Sequence, residues 1–231
     1  MLTKIDIKSI IYECGKVATQ GLVNGTTADI QSLFIDFLAP PNDFIGVHDN
    51  PAIFVSKITF NLLGKDHEKW VANKTIAVQE TFLKNHPLMV IGIIAHEVGH
   101  AFNVAANIPN TEANACIFEI EAIRYLVNSY HPLIASYSKK DVQHYFESRL
   151  LNYKIIANQY LLTLIQKIAQ GTILNNTNIL TNASSLNIKS DSKYYLMKSP
   201  TLFTRKTTAY IFNDKIIQEQ EASSKSKAFI T

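Results

Sequence analysis

Cysteine is scarce. Only Cys14 and Cys116 occur among 231 residues, too few for a disulfide framework and without the spacing of a zinc knuckle. Cys116 falls in a helix-like apolar stretch, and both are expected as buried free thiols. Dense Lys/Arg blocks are missing as well. A net charge of +3 is mild, so no nucleic-acid partner is expected. Long hydrophobic runs are absent: the longest, Leu88 to Ala95, falls well short of the roughly 20 residues of a membrane span. The opening residues, Met1-Leu-Thr-Lys-Ile-Asp-Ile-Lys, mix charges with isoleucines and lack the apolar core and cleavage site of a signal peptide. The chain is therefore expected to work in a reducing place, or to be secreted by a route that needs no such signal. No internal repeat is evident. What remains, 47% hydrophobic and 18% charged, fits a soluble globular protein with a proper core.

The chain is organised around residues 87 to 104, where an apolar run reads into His96-Glu97-Val-Gly-His100. Four residues along an α-helix is a rotation of about 400°, which leaves His96 and His100 on one face. One divalent ion can touch both imidazoles, and Glu97, next to His96, can reach a water at that ion. Pro87 suits a first helical turn, where it loses no hydrogen bond. Leu88, Val90, Ile91, Ile93, Ile94 and Ala95 make the helix apolar nearly all round and predict that it is buried. Two histidines and a glutamate on a buried helix need a partner, because unpaired buried polar groups are costly.

Along the chain, residues 3–20 read as an amphipathic helix and Thr26 to Leu38 as a second, stopped by Pro40-Pro41. Residues 42–51 read as loop, with a solvated His48. Pro51 to Leu63 is the strand candidate, either an ordinary core strand or an edge strand that pairs with an extended peptide, in which case Ile53, Val55, Ile58 and Phe60 are the candidate substrate-binding residues. A helix is expected from about Asp66 to Lys84, before the motif helix. A short turn at 107–111 leads into a helix from about Asn110 to Tyr130. Asp141 is the expected N-cap of a long helix to about Gln170. The fold class that follows is α+β, mainly helical with a small β-sheet. Residues 1–170 form the domain, and 171–231 form a C-terminal appendage. In it, Tyr194 to Ile217 could add a hairpin or dock a partner, and 219–231 looks like an unpacked tail.

Catalytic zinc takes a third protein ligand and keeps one open position. If the two helices form an antiparallel hairpin with matched rises, the level of the metal falls near residues 117–119 of the second helix. Glu119 fits this level and is the expected ligand. Glu112 lies about two turns away on the same face and is its rival, or a second partner for a ligand histidine. Glu121 is rotated by about 200° from Glu119 and is expected to face elsewhere.

His96-Glu97-Val-Gly-His100, eighteen residues and then Glu119 is similar to the gluzincin layout of thermolysin-like and aminopeptidase families of HExxH zinc metalloproteases. Glu112-Ala-Asn-Ala-Cys-Ile-Phe118 resembles the Glu-x-x-Ala-x-x-Phe stretch of other zinc peptidases, where the first glutamate is the ligand. The resemblance implies a zincin-like fold, one Zn2+ per chain, and Glu97 as the catalytic general base. There is no Asn before Glu119, no Asp four residues after it and no recognition motif for a peptide N-terminus, so an endopeptidase is favoured over an exopeptidase. The tetrahedral oxyanion needs a further donor, and Tyr125, Tyr130, His131, His144, Tyr145 and Tyr153 are the downstream candidates. The Asn/Ile/Lys-rich composition and the tail resemble Legionella effectors exported by the type IVB system, which include a small metalloprotease directed at host actin. That resemblance implies translocation into a host cytoplasm and a host protein substrate, with actin the candidate. The competing readings are an inactive helical host-binding protein with a relict zinc site and a non-proteolytic zinc hydrolase.

Overall fold

Thr-x-x-Asp at residues 3–6 opens the first helix with a reciprocal cap: the Thr3 hydroxyl accepts from the Asp6 N–H and the Asp6 carboxylate accepts from the Thr3 N–H. Helix α1 (Lys4–Gln20) buries Ile7, Ile10, Cys14, Val17 and Ala18 and ends at Gly21, whose φ of 95° suits glycine. The computed structural model describes residues 1–22, 25–30, 33–39, 51–55 and 68–175. Among these it places six α-helices and a three-stranded sheet, so the chain is mainly helical α+β, as expected. Ile58, Phe60, His48 and the appendage beyond residue 175 lie outside the described residues.

The sheet corrects two expected helices. Phe34–Leu38, read as the end of a helix, is strand β1, and the expected helix over 66–84 contains the central strand of the sheet. That second stretch resolves into a short helix α2 (Glu68–Ala72), strand β3 (Thr75–Gln79) and a 3-10 turn at Glu80–Lys84. The switch occurs at Lys74, whose φ of 49° breaks the helix. Thr75, Ile76 and Val78 are β-branched and fully buried, and such side chains favour a central strand once partners exist on both sides. Strand β2 (Ala52–Phe54) is the second partner. The order is β1-β3-β2, with β1 parallel to β3 (Phe34↔Thr75) and β2 antiparallel to it (Ile53↔Ala77).

Helix α3 (Pro87–Ala105) is the axis of the molecule, with α1, β2, α4 (Glu112–Asn128) and α5 (Lys139–Ile155) packed round it. By length and composition alone it could cross a membrane, but 78% of that window is buried inside the molecule, as befits a core helix. The expected single helix over 141–170 is two. Ser138, not Asp141, is the N-cap of α5, with Asp141 as its reciprocal partner three residues on. The chain then breaks at Ile156–Asn158, where the Asn158 side chain caps α6 (Gln159–Ala169) through the Leu161 N–H.

Candidate metal centre

The closure between α3 and α4 decides which residues meet. Asn107 adopts a left-handed φ of 55°, its N–H donates to the Val104 carbonyl and the Ile108 N–H to the Asn103 carbonyl. This is a Schellman closure with asparagine in the place glycine usually takes. The chain then runs back along α3 before the Thr111 hydroxyl caps α4 by accepting from the Asn114 N–H. Asn110 is already beside His100, with Nδ1 to Oδ1 at 2.7 Å. The first residue of α4, Glu112, is thereby level with both histidines. Gly99 lets the two helices approach: a Cβ there would lie 2.9 Å from the Phe118 Cβ and 3.0 Å from the Ala115 Cα.

His96 Nε2 lies 3.1 Å from Glu112 Oε2, and His100 Nε2 lies 3.4 Å from Glu112 Oε1. The two rings stand edge to face with centroids 5.0 Å apart. One atom from each of His96, His100 and Glu112 falls within a 4.8 Å group, and all three residues are buried. These are the donor types of a catalytic zinc site, two imidazoles and a carboxylate. The opposite nitrogens are occupied. His100 Nδ1 faces Asn110 Oδ1, and His96 Nδ1 faces Glu119 Oε2 at 3.2 Å with the Cys116 sulfur at 3.8 Å. An ionised carboxylate only accepts, so in the metal-free chain His96 carries a proton on Nδ1 toward Glu119 and one on Nε2 toward Glu112, and an ion in the shared space would displace the second.

Glu119, the ligand expected from equal helix rises, is thus not grouped with His100. It sits behind His96, and Glu112 takes the position between the two histidines. The difference follows from the turn, which doubles back along α3 instead of closing level with its end. Glu119 is completely buried and accepts from five donors: the hydroxyls of Tyr145 (2.6 Å) and Tyr153 (2.7 Å), two Arg149 nitrogens (3.3 Å each) and His96. Burial raises its pKa, but the Arg149 guanidinium and His96 outweigh burial and hold it at about 2. Burial likewise works against Glu112, and His100 and His96 overcome it to keep that carboxyl well below its usual range. Burial pulls the His96 imidazole down, yet its bonds to Cys116, Glu112 and Glu119 carry it well above its ordinary value.

Glu97 points to the sheet. The Phe54 N–H, on the outer edge of β2, donates to Glu97 Oε2 at 2.6 Å, while the next residue, Val55, donates inward to the Thr75 carbonyl. Of the expected strand residues, Ile53 lies in β2 and Val55 directly after it, both buried, and β2 is the outermost strand on this side among the described residues. Glu121 faces away from the centre, pairing with Arg124 (3.1 Å) and accepting from the Tyr160 hydroxyl. Of the oxyanion candidates, Tyr145 and Tyr153 are spent on Glu119. His131 lies 3.6 Å from Glu13, His144 3.4 Å from Glu147, Tyr130 is exposed and Tyr125 packs on the core. Arg149 and Asn110 were not singled out in the sequence. The signal for Arg149 was there: Tyr145, Arg149 and Tyr153 recur every four residues on one helical face. Comparison of the chain with protein-family models, curated proteins and solved structures found no match.

Proposed function

We propose that the chain is a zinc-dependent endopeptidase in which His96, His100 and Glu112 hold the ion and Glu97 is the general base. The observation that carries this is the convergence of two Nε2 atoms on one buried carboxylate, with each Nδ1 tied to an oxygen acceptor. A zinc ion held there supplies Lewis acidity to a scissile carbonyl and acidity to a water. Glu97 would be the group that takes a proton from the attacking water and returns it to the leaving amine as the C–N bond breaks, and the Phe54 N–H holds its carboxylate. A zincin-like fold is part of this reading, and what supports it is the packing of β2 of a small sheet against the motif helix.

The likeness of the whole chain to type IVB-exported effectors supports delivery into a host cytoplasm and a host protein as substrate, and it directs the first trial at actin. Eukaryotic cell lysate and purified actin are incubated with wild type and Glu97→Gln, and zinc is determined on both proteins. The expected outcome is a discrete protein band lost with wild type alone and zinc retained by both. Zinc in both with no cleavage by wild type would favour the non-proteolytic hydrolase or the relict site of a host-binding protein, and no zinc in either would end the metal reading.

A further inference from the structure

Helix α5 sends four donors from three residues to one carboxylate. Tyr145, Arg149 and Tyr153 share one face, are each at most 5% exposed, and all end on Glu119. A carboxylate offers about four lone-pair sites, and this one meets five donors, so although His96, Cys116 and Glu119 also form a group of metal-ligand type, an ion there would have to displace bonds that Glu119 already accepts. Oε1 takes both hydroxyls and the Arg149 Nε, while Oε2 takes the Arg149 Nη2 and His96 Nδ1. The carboxylate is fixed from the α5 side and turned toward the histidine. Helix α3 leaves room for this device: a Cβ on Gly92 would lie 1.7 Å from the Tyr145 hydroxyl. Arg149 also balances the charge of Glu119, so that Glu112 remains the one carboxylate in the group whose charge faces the ion directly.

We infer that Tyr145, Arg149 and Tyr153 are positioning residues of the metal centre, which act through Glu119 to hold the His96 ring with Nδ1 protonated and Nε2 toward the ion. This rests on the zinc reading proposed above. An ion pair that merely ties α5 to α4 would instead change stability and leave the centre untouched.

The test uses the full chain and the metal alone. Zinc affinity is measured by competition with a chromophoric chelator, and the visible bands of the Co2+-loaded protein report ring geometry. The variants are Arg149→Lys and Tyr153→Phe, with Ile10→Ala, buried in α1, as a control that loses stability without removing a hydrogen bond of the centre. Arg149→Lys is expected to weaken zinc by about 10–100-fold, the usual cost of losing support behind a ligand histidine, and to shift the Co2+ bands. Tyr153→Phe shifts them in the same sense by less, and it decides the matter if the lysine variant does not fold. Ile10→Ala lowers the melting temperature with affinity and spectrum unchanged. Wild-type affinity and spectrum in a folded Arg149→Lys or Tyr153→Phe overturn the inference and leave the zinc reading standing. Failure of wild type to bind zinc overturns both.

Discussion

Glu112 and Glu119 are the same residue type, on one face of one helix, yet they meet different nitrogens of the same imidazole. Glu112 faces Nε2 of both histidines, and Glu119 faces only Nδ1 of His96. Their surroundings differ as sharply. Around Glu119, Arg149 and two tyrosines saturate the oxygens, while the nearest partners of Glu112 are the histidines themselves. The two substitutions should therefore separate. Glu112→Gln is expected to weaken zinc by more than the roughly 10–100-fold typical of an outer partner, whereas Glu119→Gln stays within that range. Equilibrium dialysis with metal analysis on both variants decides it. The reverse order of effect would restore Glu119 as the ligand.

At the scale of elements, the hairpin of α3 and α4 sets how near Glu112 comes to the histidines, and Gly99 sets the spacing of the hairpin. A methyl at this position meets the Ala115 backbone and the Phe118 Cβ at about van der Waals overlap, neither of which is the loose end of a side chain. Gly99→Ala should force the helices apart, at about 1–3 kcal/mol, or roughly 2–4 °C in melting temperature per kcal/mol for a chain of this size. It should also weaken zinc, because Glu112 leaves with α4. Calorimetry and the chelator titration check the two effects together; a loss of stability with full zinc affinity would mean that the hairpin spacing does not govern the site. Much of this region was legible in the sequence. Pro87, the apolar run and the four-residue spacing of His96 and His100 specify a buried helix with two histidines on one face, since each rests on local periodicity. The register of Glu112 was not legible, because it depends on a left-handed Asn107 and a turn that doubles back. The strands β1 and β3 were hidden for a related reason. Phe34–Leu38 and Thr75–Gln79 are short apolar runs whose strand character comes from mutual pairing, a non-local fact that a helical pattern can imitate.

For the molecule as a whole, the centre gathers most of the buried ionisable groups in one place, with the Glu121–Arg124 pair and Glu13 buried apart from it. Glu119 falls from 4.5 to about 2 on folding, and Glu112 shifts in the same direction. A depressed carboxylate contributes stability that is complete above its unfolded value and is lost as pH falls toward its folded one. His96 is shifted upward from 6.5, so its contribution is complete below 6.5 and is lost as pH rises through the higher folded value. The metal-free chain should thus be best supported by this cluster between the two reference values, 4.5 and 6.5. Zinc changes the balance because it competes with protons for the imidazole nitrogens. At low pH the proton on His96 must leave before the ion binds, whereas at higher pH the metal-free cluster has begun to lose its support and the ion replaces it. The rise in melting temperature on adding zinc should therefore grow with pH from about 5 to about 8, reaching the equivalent of about 2.7 kcal/mol once free zinc is about 100 times the dissociation constant. Thermal scans with and without zinc across that range measure the increment. An increment independent of pH would show that the ion binds without displacing the proton of His96, contrary to the upward shift of that imidazole.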